Sequence, residues 1–527
     1  MSFPRVLSRR RRALVAQLVA NGLAQAGATL IGARSLHAAI ADSPPDLRVI
    51  GALAASGAAL LALRVHAGGI AERLGQDYVT RVRLRIFEAT AARPARAARA
   101  RAGLTLTRVI TDLSSLRRWV SDGIARSIVA AVTLAGAFFV LVTVHPAASL
   151  ALGAVSLGCA AAAAALAPLL RANVREARRR RGRLANNLGE KLLASRTVRQ
   201  LGRTDAELAR VRTHSGWLRD ALVRRARVAE ALAALPDLAT PVALAAWIAL
   251  RGASEPGELA AGPLVLGVLG GALRDLARAL EHRVAFDEGR RRIAELLAAP
   301  RLTERRRARA LPGSGPLALE LSKVGVAGAL ASVTFAAKPG ERVLVTGPAG
   351  SGKSTLLALA ARLLDPDSGE LQLGGEPLRA LSLDAVHDAV QLVSPDLPLL
   401  RGSVADNVSY GAEDDAADWI EAVALACGLV DDPALAEGVA TRVEERGANL
   451  SASLRARIAL ARAVAMRPRL LLVDDPAFAA DAGARDALQR ALALHPVTAL
   501  VVGAEGVCGF ESTQTWKLTR APDGAAA

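Results

Sequence analysis

The chain has 527 residues, 52% hydrophobic and only 3% aromatic, and its 67 Lys and Arg against 49 Asp and Glu leave a formal charge of +18. That length holds two or three domains with separate cores, and so large an apolar share points to membrane spans. Basic patches interleaved with aromatic rings are missing, so the positive charge is read as cytoplasmic anchoring of membrane helices, or as a bias toward Arg, and not as a nucleic-acid surface.

Arg9–Arg12 precede an apolar stretch too long for a signal-peptide core and lacking a convincing cleavage site, so Ala13–Ile40 is read as a first membrane helix. Val49–Ile70 reads as the second. Ser127–Leu170 contains no Asp, Glu, Lys or Arg, and its length suits two spans of roughly 20 residues each, turning at His145-Pro146. Leu232–Leu250 and Leu259–Leu273 complete a set of six spans. Arg34, His37, Arg64 and Asp237 interrupt these weaker stretches; charges near span ends are expected to snorkel toward water, with a polar cavity as the alternative for Arg64 and Asp237.

Loop charge orients the spans. The turn Ala41–Leu47 carries Asp42 and Asp46 and no base, and Arg251 after span five faces Glu255 and Glu258. The Arg-rich segments Arg73–Arg126 and Arg171–Arg227 follow spans two and four, which puts them and both termini in the cytoplasm. Their periodicity, as in "GRLANNLGEKLLASRTVRQLGRTDAELARV", predicts helices continuing well below the bilayer. Cys159, Cys427 and Cys508 lie far apart, without metal spacing, and read as isolated thiols.

A charged, Pro/Gly-containing linker at residues 301–316 divides a helical transmembrane domain, residues 1–300, from an α/β domain, residues 317–527, where short apolar runs alternate with helical ones. In "ERVLVTGPAGSGKSTLLALAARLL" the pattern G-x-x-x-x-G-K-[ST] sits between a β-type run and a Leu/Ala helix, the context a phosphate-binding loop requires. Gly347, Pro348, Ala349, Gly350, Ser351, Gly352, Lys353, Ser354 and Thr355 are the expected ATP-binding residues. Their backbone N–H groups would close on phosphate oxygens at a helix N-terminus. Lys353 would add charge at the β/γ-phosphates, and Ser354 would ligate Mg2+. "LLLVDD" ends an apolar strand in two carboxylates: Asp474 is expected to hold Mg2+, and Asp475 stands where a water-activating base belongs.

Six spans followed by such a domain resemble an ABC transporter half-molecule of the exporter type, and the resemblance covers nearly the whole chain. "ITDLSSLRRWVSDGI" and "ASRTVRQLG" look like the family's cytoplasmic helix extensions, "LLRGSVADNVSYG" and "ARIALARAV" like its nucleotide-domain landmarks. The resemblance implies a dimer sandwiching two ATP, each held by one phosphate loop and the other chain's signature segment, with residues 94–108 and 203–213 passing motion between domains. It implies a multi-pass protein of a bacterial inner membrane, with ATP and Mg2+ as cofactors and a transported substrate that the residues do not identify.

Several positions depart from that pattern. The family's Leu-Ser-Gly-Gly-Gln signature is Leu450-Ser451-Ala452-Ser453-Leu454 here; Ser451 keeps a hydroxyl for the partner's nucleotide, but Ala452 and Ser453 add Cβ atoms where backbone must approach phosphate. The catalytic Glu is Asp475, whose shorter side chain withdraws the carboxylate by roughly 1 Å, a misplacement worth about 10²-fold in rate. The switch histidine aligns with Ala504, and the family's Gln with Pro395, Gln391 lying four residues early. No aromatic occupies Leu317–Thr334, where the family stacks a ring on adenine, whereas Asp481 matches its dimer-seam aspartate. The expectation is an ATP-binding, weakly hydrolysing half, paired in a heterodimer rather than a homodimer; the alternative is a non-hydrolysing regulatory membrane subunit.

Overall fold

The computed structural model describes residues 3–6, 8–41, 46–94, 112–144, 146–251, 256–299, 301–302, 309–412, 416–504 and 511–520. Asp42, His145, Glu255, Cys508, most of the linker and most of 94–108 lie outside the described residues. The chain separates into two compact units, Met1–Ala91 with Arg101–Ala299 and Ala92–Ala100 with Pro300–Ala527.

The first unit is all helical. Among the described residues it has six long helices: α1 (Arg9–Ala41), α2 (Leu47–Ala91), a helix over 112–144 closing in α3 (Arg126–Val144), α4 (Pro146–Leu193), α6 (Thr204–Arg251) and α7 (Pro256–Ala298). Each expected span falls within one of them. Helical stretches over Arg11–Leu36, Leu47–Ala91 and Gly153–Leu192 are long and apolar enough to cross a membrane. The periodic stretch that follows span four does not run on as one helix. α4 stops at Leu193, the six-residue α5 (Ser195–Gln200) follows, and Gly202 at φ +64° turns the chain into α6. Asp205 and Glu207 in the first turn of α6 complement its dipole. The pattern specified helix correctly but not the reversal, which a single glycine carries.

Local irregularity and buried charge shape this bundle. Within 112–144 the backbone widens to a π-helical turn over Trp119–Ala125. Gly123 is obligatory there, since a Cβ would lie 2.2 Å from the Trp119 ring. Asp112, 4% exposed, stands between Arg178 at 3.5 Å and Arg292 at 3.8 Å, while Arg178 also donates to Ser115 Oγ and the Ala285 carbonyl. This buried ion-pair network joins three helices; removing one partner would strand a buried charge. Arg11 is likewise buried, pairing with Asp77 at 2.8 Å and donating to the carbonyls of Arg5 and Val6.

The second unit holds an antiparallel sheet of order β2-β1-β4-β5 and a parallel sheet of order β11-β3-β10-β9-β6. The first is built from β1 (Leu319–Val326), β2 (Leu330–Ala337), β4 (Ser368–Leu373) and β5 (Glu376–Pro377); the second from β3 (Arg342–Thr346), β6 (Val390–Val393), β9 (Leu470–Val473), β10 (Thr498–Val502) and β11 (Gln514–Lys517). The runs "VLV" and "LLLV" lack alternation because both faces of their strands are buried, as a parallel sheet covered by helices requires. The fully buried Trp516 of β11 stacks on Phe335 of β2, with ring centroids 4.8 Å apart and planes 6° from parallel. Trp516→Ala is expected to cost about 4 kcal/mol and to lower the melting temperature of this unit by about 10 °C, read by thermal unfolding of the purified full chain.

Candidate functional site

The register of the parallel sheet assembles the site. Val345 of β3 lies opposite Val502 of β10, Val501 opposite Val473 of β9, and Val473 opposite Val393 of β6. All four strands therefore end at one level, and the segments beginning Gly347, Gly503-Ala504, Asp474-Asp475 and Ser394-Pro395 emerge along one carboxyl edge. Ligands of open parallel sheets bind at such an edge.

The loop leaving β3 is shaped as a cradle. Gly347, Gly350 and Gly352 have φ of +150°, +79° and +94°, and a Cβ on Gly352 would lie 2.5 Å from the Ala329 carbonyl oxygen. Gly352 caps α8 (Lys353–Ala360), whose N-terminus carries Lys353, Ser354 and Thr355, while Gly347, Pro348, Ala349 and Gly350 are exposed. Ser351 is fully buried, with its Oγ unpartnered. Lys353 Nζ donates to the carbonyls of Gly347 at 2.7 Å and Pro348 at 2.9 Å, so the ammonium bends over the loop. A glycine-rich loop at a helix start, with a lysine ammonium over it, suits phosphate oxygens.

The two carboxylates beyond β9 are placed differently. The backbone N–H of Asp474 donates to the Val393 carbonyl at 2.8 Å, while its half-buried carboxylate takes no hydrogen bond or ion pair from a described residue. It shares the sheet edge with the exposed Ser354, a donor set of hard oxygens that fits Mg2+. Asp475 is turned into its own chain, with Oδ1 accepting from the Ala477 N–H at 2.9 Å. Burial raises its pKa, with the neighbouring Asp474 charge adding to the rise and the Ala477 bond opposing it. Pro395 and Ala504 are exposed at the same edge and offer no side-chain polar atom, and the Gln391 amide donates back to the His387 carbonyl.

The Leu450–Leu454 segment belongs to a different packing cluster from the cradle. α12 (Ala452–Ala465) packs in one hydrophobic cluster and α8 in another. Ser451 is the exposed N-cap of α12, its Oγ accepting from the Leu454 N–H at 3.2 Å, which leaves its own proton free to donate. Leu454 is 3% exposed and belongs to the core, so an apolar side chain suits that position. The Ser453 hydroxyl donates to Asp481 Oδ2 at 2.6 Å, and the same oxygen caps α14 (Ala482–Ala493) through the Ala484 N–H at 2.8 Å. Sequence reasoning missed this bond, because no local pattern links residues 28 positions apart. Phe335, one position beyond the stretch searched for an adenine ring, is committed to its stack on Trp516.

Comparison with known proteins follows the same division. Residues 13–269 match the family model described as ABC transporter transmembrane region, and residues 330–478 the model described as ABC transporter. A "Multidrug efflux ATP-binding/permease protein" of Mycobacterium tuberculosis is 33% identical over 56% of this chain, and "Antigen peptide transporter 2" of Rattus norvegicus is 37% identical over 33% of it. The aligned parts span 26% and 25% of those relatives' own lengths. A solved bacterial Atm1-family ABC exporter with ATP bound shares the fold at a TM-score of 0.83 and 21% identity, over 98% of this chain and 95% of that one.

Ser453→Ala is expected to destabilise the second unit by about 1 kcal/mol at neutral pH. The Ser453 hydroxyl, and after it the Ala484 N–H, holds the Asp481 carboxyl below the usual aspartate range. A depressed folded value stabilises above the unfolded pKa and ceases to do so as pH falls through the folded one. The gap between variant and wild type should thus narrow as the pH falls below the usual aspartate range in thermal unfolding of the full chain.

Proposed function

The chain belongs to the ABC transporters, and we propose that it is one half of an ATP-dependent exporter, the weakly hydrolysing member of a heterodimer in a bacterial inner membrane. One observation carries this reading: an open phosphate cradle shares a sheet edge with cleavage positions that have lost their function-bearing atoms. Gly347–Thr355 would hold the ATP phosphates through backbone N–H groups and Lys353. Ser354 and Asp474 would hold Mg2+, which neutralises phosphate charge when bound.

Hydrolysis by this chain is slow on this reading for three reasons. Asp475 is shorter than the expected Glu, spends one oxygen on the Ala477 N–H, and keeps its proton to higher pH than a free carboxylate. Ala504 cannot orient or stabilise anything at the γ-phosphate, and Pro395 has no amide to offer. Binding energy remains available without cleavage, since a ligand taken up only by the closed state shifts the equilibrium toward it. The partner would face Ser451 across its own nucleotide, with Ser453 already committed to Asp481 in this chain. Asp481 would lie at the seam between halves. The loop charges and the family support export from the cytoplasm, with the second unit on the cytoplasmic side.

The purified full chain should retain ATP at millimolar concentration, and Lys353→Ala should lose it. Turnover by the chain alone should be slow, and Asp475→Glu with Ala504→His should raise it by up to about 10²-fold. Brisk wild-type turnover without a second half would overturn the heterodimer. Because the Asp475 pKa is raised, residual turnover should also fall on the acid side at a higher pH than an ordinary aspartate dictates, which a pH–rate profile checks.

A further inference from the structure

The helical unit has an open cavity of about 510 Å³ between α1, α2, the π-helical turn, α3 and α7. That volume suits a small organic molecule. Its wall is polar for a bundle of membrane helices, holding Arg64, Arg126, Arg274 and Arg278 together with Glu72, Asp122 and Asp275.

The ion pairs show which charges are already spent. Glu72 binds Arg117 at 2.6 Å, Asp122 binds Arg126 at 3.1 Å, and Arg274 binds Asp237 of α6 at 3.2 Å. Asp275 remains, with all four wall arginines close enough to act on its charge. Arg64 and Arg278 make no ion pair with a described residue, so two guanidinium groups border the cavity against one carboxylate. Neutral polar groups continue the wall: Gln25 and Thr29 on α1 and Thr133 on α3 are each under 9% exposed.

Two structural features indicate a wall kept for an occupant. The π-helical turn contributes Ser121, Asp122 and Ala125 to it, and such turns concentrate at functional sites. The turn is pressed against α2 at Gly75, where an added Cβ would lie 3.0 Å from Ser121 Cβ. Second, Arg64 interrupts the Val49–Ile70 span, where a charge is costly to keep unless it faces a cavity or a partner. The wall's arginines outnumber its carboxylates by one, an excess of positive charge that selects against cations and favours planar or tetrahedral oxyanions, which accept two parallel N–H bonds.

We infer that this cavity binds an organic anion bearing a carboxylate, phosphate or sulfonate group, taken by Arg64 and Arg278, with Arg126 and Arg274 set in place by Asp122 and Asp237. The inference names the substrate class of the exporter and rests on that reading. The anionic group is the shared chemistry, whether a soluble molecule or a lipid headgroup carries it.

The test uses the full chain in phosphatidylcholine nanodiscs and fluorescence anisotropy with carboxyfluorescein, an organic anion, and ethidium, a cation. Carboxyfluorescein should bind saturably and ethidium should not. Arg64→Gln with Arg278→Gln should weaken carboxyfluorescein binding at least tenfold, and Lys at both positions should restore most of it. Absent saturable anion binding, preference for ethidium, or an unaffected double Gln variant would each overturn the inference. ATP retention is followed in parallel: it should survive the double Gln variant, showing that the protein is folded. Lys353→Ala should lose ATP yet keep the anion. Failure of the wild-type chain to retain ATP would sink the exporter reading while leaving the anion result to stand. Repeating the titration with phosphatidylglycerol in the discs separates the sources: competition assigns the site to a headgroup, and undiminished binding to a soluble anion.

Discussion

The second unit depends on the in-register, parallel pairing of β3, β10, β9 and β6. Parallel strands point their carboxyl ends the same way, so residues more than a hundred positions apart in the chain arrive along one edge. Nothing about Gly347, Asp474, Pro395 or Ala504 as single residues makes a site; the ladder does. The ladder in turn requires burial on both faces, which explains why the strands are unbroken apolar runs and why carboxylates appear only after the last buried valine.

Next to that frame of strands, residues 453, 454 and 475 are tied into the chain's own packing. Leu454 belongs to the core, while Ser453 is bonded to Asp481. Asp475 accepts from the Ala477 N–H, two residues on. Ser453 and Asp475 are thus hydrogen-bonded within the chain's own packing. Ser451 keeps its hydroxyl exposed at a helix N-terminus.

The helical unit handles charge by a different rule. Where three helices meet, Asp112 is shared between Arg178 and Arg292, and Arg11 is enclosed with Asp77. Both are buried ion pairs. The cavity wall differs, because among the described residues Arg64 and Arg278 make no ion pair and share only the field of Asp275. Arg64 and Asp237, two charges that interrupt otherwise apolar stretches, both bear on this cavity, the first on its wall and the second through Arg274.

The amino-acid order by itself determined which segments are helical and apolar, where the phosphate loop lies, and that the chain has the ABC exporter architecture. Those properties are carried by contiguous residues: runs of about twenty apolar positions, the spacing of glycines before Lys353, the carboxylates after "LLLV". Only the tertiary structure decided the reversal at Gly202, the π-helical turn around Gly123, the Ser453–Asp481 bond and which of the arginines go unpaired. Each of these is a matter of distance between groups remote in sequence, or of one residue's backbone geometry, and neither leaves a periodic trace. Composition reports how much charge a helix bears; packing alone decides whether a counterion stands beside it.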